Sequence, residues 1–155
     1  TIVFSSMGSS NAAAMSGVIR FTRAGKKCLF FHDQSSQLMT AAIIGQRDLM
    51  IGISNSGRSK TVVESLRIAK AKGAVTIGIT SYEDSPLVKY SDIPLFTSTK
   101  STGKESALYW ESSTSKTAQI LVLDALYACY AAKHFDETIE YLGETFNVLK
   151  NSREK

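Results

Sequence analysis

The run Leu49-Met50-Ile51-Gly52-Ile53 passes directly into Ser54-Asn55-Ser56-Gly57-Arg58-Ser59-Lys60, and this junction restricts the fold more than any other stretch of the chain. A short apolar run with β-branched Ile51 and Ile53 suits a strand covered on both faces, as in a parallel sheet. After the turn, Val62, Leu66 and Ala69 recur at helical spacing on one side. Between strand and helix, Ser54, Asn55, Ser56 and Ser59 supply polar hydrogens, and Gly57 lets the backbone turn tightly. The opening helix brings unpaired amides and its positive dipole end to the same place. Together these groups describe a seat for an oxyanion, read here as a phosphate site. Serines at such a turn also serve as N-caps, and Ser56 or Ser59 could do only that. A cap needs one hydroxyl, however, and this turn offers several with an amide beside them. The spacing is neither that of a Walker A loop nor a Gly-x-Gly-x-x-Gly fingerprint.

The same alternation runs along most of the chain. Ile2 to Ser5 reads as a first strand, Ser6-Met7-Gly8-Ser9-Ser10-Asn11 as a second Ser/Gly turn, and Ala12 to Ala24 as a helix closed by Gly25. Cys28 to Phe31 reads as a strand, Ser35 to Ile44 as a helix, and Ala74 to Ile79 as a fourth strand. A polar loop over Thr80 to Leu87 leads to a short fifth strand, Ile93 to Phe96. Strands alternating with helices predict an α/β fold with a parallel sheet covered on both faces. Ligands of such sheets sit beyond the carboxyl ends of the strands, where strand order reverses. The turns after strands one, three and four all end on that edge, and two of them carry the Ser/Gly composition.

Beyond a polar loop, Thr97 to Gly103, the character changes. Ser113-Thr114-Ser115-Lys116-Thr117 leads into a helix, Ala118 to Ala132, that is apolar nearly all round, with Asp124 its one charge between Lys116 and Lys133. This predicts a central helix buried on more than one side that also forms a subunit interface. A final amphipathic helix is expected from Glu137 to about Leu149, with Asp136 as its N-cap.

A length of 155 residues is that of one ordinary domain with a sizeable core. A net charge of +4 suits an anionic small ligand, whereas the dispersed basic residues lack the dense, aromatic-interleaved stripe of a nucleic-acid surface. No apolar run approaches the roughly 20 residues of a membrane-spanning helix, and a cytoplasmic protein is expected. Cys28 and Cys129 lie far apart in apolar surroundings, which predicts free, buried thiols rather than a disulfide. No Cys or His cluster has metal-ligand spacing. The chain begins at Thr1 and enters a strand at once, which predicts a domain cut from a longer protein.

Gly8-Ser9-Ser10 and Ser54-Asn55-Ser56-Gly57-Arg58-Ser59 resemble the two phosphosugar motifs of SIS (sugar isomerase) domains, the second, Ser-x-Ser-Gly-x-Ser/Thr, being the more specific. Ser113 to Thr117, with Asp124-Ala125-Leu126 downstream, is similar to the same family. The likeness spans nearly the whole chain and is greatest to the C-terminal effector domain of RpiR-type transcriptional regulators, in which a helix-turn-helix domain comes first. It implies a flavodoxin-like three-layer sandwich with a five-stranded parallel sheet. It also implies a homodimer or homotetramer with the sugar site near a subunit boundary, and contact with DNA only through a domain outside this chain. By motif, Ser54, Asn55, Ser56 and Ser59 would hold the phosphate, Ser9 and Ser10 would close from the first turn, and Ser113, Thr114 and Ser115 from a third side. The first motif departs from Gly-x-Gly-x-Ser, with Ser6 in place of the first glycine. No cofactor, metal or nucleotide is required, and several charged hydrogen bonds of roughly 1.5–3 kcal/mol each, offset by ordering costs, point to micromolar or weaker affinity.

An aldose–ketose isomerase would further need a base to move a proton. The resemblance points to Glu111, better placed than Glu105, although a glutamate beside a serine-rich helix start can simply complement the dipole. His32 ends strand two near the ligand edge and His134 ends the long helix; neither is well placed for chemistry. A phosphosugar sensor is therefore expected ahead of a stand-alone isomerase or a bare oligomerisation module.

Overall fold

A computed structural model describes residues 1–98 and 113–152. Five parallel strands, β1 (Ile2–Ser6), β2 (Cys28–Phe30), β3 (Leu49–Ile53), β4 (Val75–Thr80) and β5 (Ile93–Phe96), lie in the order β2-β1-β3-β4-β5. This is the flavodoxin-like order, and the expected α/β sandwich is observed. The helices are α1 (Asn11–Arg23), α2 (Gln34–Ile43), α3 (Lys60–Ala71), α4 (Pro86–Lys89), α5 (Ser113–Lys133) and α6 (Phe135–Asn151).

Alternation along the strands divides the core. Phe4, Ile51, Ile53, Ile77 and Ile79 pack with Ala13, Ala14 and Phe21 of α1 and Leu123 of α5. Val3 and Met50 face the other way, onto Ala41 of α2, Val62, Leu66 and Ala69 of α3, and Leu87 of α4. Because side chains alternate with period two, a one-residue slip in β3 would exchange these faces. Gly52 is where α3 presses on the sheet: a Cβ there would lie 2.2 Å from a methyl of Leu66. Asp33 caps α2, its carboxylate accepting from Ser36 N at 2.8 Å, and that bond holds its carboxyl below the usual range.

Within the single chain the long helix is covered on one side. Ser115, Gln119 and Leu123 are buried, but Leu121 is 68% exposed, and Ala125, Ala128, Cys129 and Ala132 are exposed with it. α5 packs on α1, with Arg20 paired to Asp124 between them, and this covers only one side of the helix. The thiols are free as expected, yet only Cys28 is partly buried, which pushes its thiol up; Cys129 is exposed. The final helix starts earlier than expected. His134 holds the N-cap position without a side-chain bond, and Asp136 lies inside the first turn with Glu137. The start is fixed by tertiary contacts: His134 stacks on Tyr130, and Glu137 reaches Lys26 at 3.0 Å. The Thr80–Leu87 loop is likewise shorter than read, because Pro86 opens the single turn of α4.

Candidate functional site

The connection after β1 leads to β2 on one side and the connection after β3 to β4 on the other, so the switch point lies at the carboxyl ends of β1 and β3. Ser6 pairs with Ile53 and Ile53 with Ile79, so the turns after β1, β3 and β4 emerge level with one another.

After β3, the chain folds into a turn closed by Gly57 N donating to Ser54 O at 2.9 Å. Gly57 has φ +63°, and a Cβ there would meet Ser85 Oγ at 2.1 Å and Thr80 Oγ1 at 2.8 Å. Glycine is required on both counts. Ser54 is buried, its N donating to Ile79 O at 3.0 Å, whereas Asn55, Ser56 and Ser59 are half-buried. Ser56 Oγ accepts from Arg58 N at 3.2 Å. Ser59 occupies the N-cap position of α3, but its side chain makes no cap bond. The first amides of α3 thus open onto the same side as an unspent hydroxyl.

The loop rests on the turn after β4. Asn55 O accepts from Ser81 N at 3.0 Å and Thr80 Oγ1 at 3.2 Å, Asn55 Oδ1 accepts from Ser81 Oγ at 2.8 Å, and Leu87 N donates to Gly57 O at 3.1 Å. Sequence reasoning missed Ser81, Ser85 and Thr97 as supports; they carry no helical or strand periodicity, and only their place after β4 and β5 marks them.

After β1, Gly8 (φ +61°) opens a 3-10 turn, Gly8–Ser10, that leads into α1. Ser10 is buried at the N-cap position of α1 without a side-chain cap bond, and Ser9 is half-buried. Ser6, where the motif expects glycine, donates through Oγ to Asn11 Oδ1 at 2.8 Å. Buried Gln37 braces the turn, accepting from Ser5 Oγ at 2.6 Å and donating to Ser6 O at 2.9 Å and Phe31 O at 2.8 Å. His32 lies beyond the end of β2 on this edge, its Nδ1 3.5 Å from Asn11 Nδ2.

From the third side, α5 touches the Gly8–Ser10 turn, and Ser115 is buried in its first turn. The side chains of Ser113 and Thr114 lie outside the described residues, as do Glu105 and Glu111. One turn beyond Ser115, Gln119 is fully buried with neither amide atom hydrogen-bonded. Sequence reasoning passed over it, although a glutamine four residues after Ser115 in an apolar helix was a visible signal. Among the described residues, no group of His, Cys, Asp and Glu is placed to hold a metal, and no helix is long and apolar enough to cross a membrane.

Comparison with known proteins follows the same lines. The chain is 34% identical over 96% of its length to an uncharacterised HTH-type transcriptional regulator of Caldanaerobacter subterraneus, and covers 51% of that protein. It is 27% identical over 84% of its length to the HTH-type transcriptional regulator RpiR of Escherichia coli, covering 43% of it. The chain thus spans about half the length of the curated relatives it matches. Among solved structures, the Vibrio vulnificus NanR protein complexed with ManNAc-6P superposes with a TM-score of 0.85 at 25% identity, over 99% of this chain and 56% of that one. The family model of the SIS domain matches residues 1–129, and the chain belongs to that family.

Proposed function

We propose that this domain senses a phosphorylated sugar within an RpiR-type transcriptional regulator and controls carbohydrate-metabolism genes through ligand-dependent oligomer geometry. The observation that carries the reading is the Ser54–Ser59 turn. It lies at the switch point, with Ser59 making no cap bond and the amide end of α3 open beside it. Ser9, Ser10 and Ser113 to Ser115 close the site around the sugar. DNA is reached through a helix-turn-helix region outside this chain, a reading supported by its similarity to HTH-type transcriptional regulators. The exposed stripe Leu121, Ala125, Ala128 and Ala132 on α5 forms the contact between copies, as a homodimer or homotetramer. Ligand acts by binding one arrangement of the copies more tightly than the other, because without that difference no population shifts.

Phosphorus NMR with a panel of hexose and pentose phosphates, ManNAc-6P first because the NanR structure holds it, tests this. Broadening or shifting without new resonances is expected. A new resonance growing with time would replace sensing by isomerisation and would make Glu111 the residue to substitute. Signals that all stay sharp and unmoved would overturn the phosphate site.

A further inference from the structure

We infer that Thr97 and Ser81 form a partly buried hydroxyl relay that fixes the Asn55 side chain with its amide hydrogens toward the ligand, making both of them positioning residues for anion binding. The inference rests on the phosphate reading of the Ser54–Ser59 turn and adds to it two residues from other strands.

The direction of the relay follows from counting hydrogens. Thr97 is 5% exposed, and the one side-chain contact of its hydroxyl among the described residues is Ser81 Oγ, at 2.8 Å. A buried hydroxyl hydrogen left unbonded is costly, so Thr97 donates to Ser81. Ser81 has a single hydroxyl hydrogen, and its other partner is the Asn55 side chain at 2.8 Å. That hydrogen therefore goes to Asn55, and the atom facing Ser81 is the carbonyl Oδ1, in agreement with the structure. The flipped amide would present Nδ2 to Ser81 Oγ and leave the Ser81 hydrogen with no side-chain acceptor among the described residues. Asn55 O is held as well, accepting from Ser81 N and Thr80 Oγ1. What remains is Nδ2, with no hydrogen bond among the described residues.

The consequence is chemical. An asparagine free to flip shows an anion its acceptor as readily as its donor. Held by Ser81, it shows only hydrogens, beside the α3 amides and the Ser59 hydroxyl. The Asn55 side chain then offers an anion hydrogens alone, which suits a fully ionised phosphate oxygen, and the Ser59 hydroxyl can turn its own hydrogen the same way. The relay also spans three strand ends, since Asn55 follows β3, Ser81 follows β4 and Thr97 follows β5.

Nitrogen-edited NMR of the whole chain tests the positioning directly. The Asn55 side-chain amide, identified by its loss in Asn55→Asp, should be an ordered pair in the wild type and become disordered in Ser81→Ala and Thr97→Val. Phosphorus titration with inorganic phosphate should show binding weakened about three- to tenfold in both variants, with recovery in Ser81→Thr and Thr97→Ser. A bare structural role would move thermal midpoints without changing amide order, so midpoints are measured alongside. Unchanged amide order in Ser81→Ala, or unchanged phosphate affinity in a wild type that binds, overturns the relay. A wild type that binds no phosphate, while amide order falls as expected, overturns the phosphate reading and leaves the relay standing as a fold contact alone.

Discussion

Substituting Gly57 by alanine tests the geometry of the turn most sharply. The residue has φ +63°, where an L side chain sets Cβ against its own backbone, at roughly 1–2 kcal/mol. The new methyl would also lie 2.1 Å from Ser85 Oγ and 2.3 Å from Ser85 Cβ, distances no relaxed contact allows. Relief requires moving the start of α4, which is tied back by Leu87 N to Gly57 O, and such overpacking costs about 1–3 kcal/mol. The sum is about 2–5 kcal/mol, or roughly 4–20 °C in thermal midpoint for a chain of this size. Urea and thermal unfolding followed by circular dichroism would measure it. The double variant Gly57→Ala/Ser85→Gly separates the two costs, because glycine at position 85 removes the two nearest clashing atoms and leaves the φ penalty and the 2.8 Å approach to Thr80 Oγ1. Recovery of about 1–2 kcal/mol relative to the sum of the single variants is expected. A Gly57→Ala protein within about 0.5 kcal/mol of wild type would refute both the turn geometry and the packing against Ser85.

Three further outcomes follow from the same structure. Ser59→Ala should leave stability within about 0.5 kcal/mol, because no cap bond is lost, yet weaken phosphosugar binding about five- to tenfold; calorimetry with denaturation controls distinguishes the two. Asp92 accepts from Lys70 Nζ and from Thr76 N, both at 2.9 Å, and these bonds hold its carboxyl below the usual range. A depressed folded-state value means that its contribution is present above the unfolded carboxylate value near 4 and disappears as pH falls through the folded one. Asp92→Asn should therefore cost about 1 kcal/mol at pH 7, little because the pair is partly exposed, and the cost should vanish in acid; equal loss at pH 7 and pH 2 would contradict this. Leu121→Lys should leave the melting curve of the dissociated chain unchanged but shift sedimentation from oligomer to monomer, and an oligomer that persists would remove α5 from the interface.

The sheet was legible in the sequence because parallel strands buried on both faces must be short and apolar, and Leu49–Ile53 and Ile93–Phe96 are bounded as read. Helix ends were less so. Asp136 has the chemistry of a cap, but with the stacking of His134 on Tyr130 and the reach of Glu137 to Lys26 α6 starts two residues earlier, at Phe135. The Lys26–Glu137 contact joins residues far apart along the chain and leaves no local pattern. The surroundings of α5 were legible only in part: an apolar helix says that it will be covered, not by what, and within one chain α1 covers one side of it. Of the site, the Ser/Gly turns were visible by composition, and their alignment followed from strand order. Gln37, Ser81, Ser85 and Thr97 were not, because a brace is defined by the partner it meets in space.

That distinction divides the turn into two sets with different consequences. Gly57, Ser54, Ser81 and Ser85 are engaged by packing or by bonds to other strands, and they set where the backbone runs. Ser59, the α3 amides and the Asn55 Nδ2 hydrogens are unspent within the described fold. Changes in the first set should lower stability and affinity together, since loop shape is shared by both, whereas changes in the second should lower affinity alone. On the phosphate reading, the β4 turn therefore belongs to the proposed site as much as the serines do. An anion seat built from short side chains has no reach of its own, and its donors converge only while Asn55 and Gly57 are held from β4.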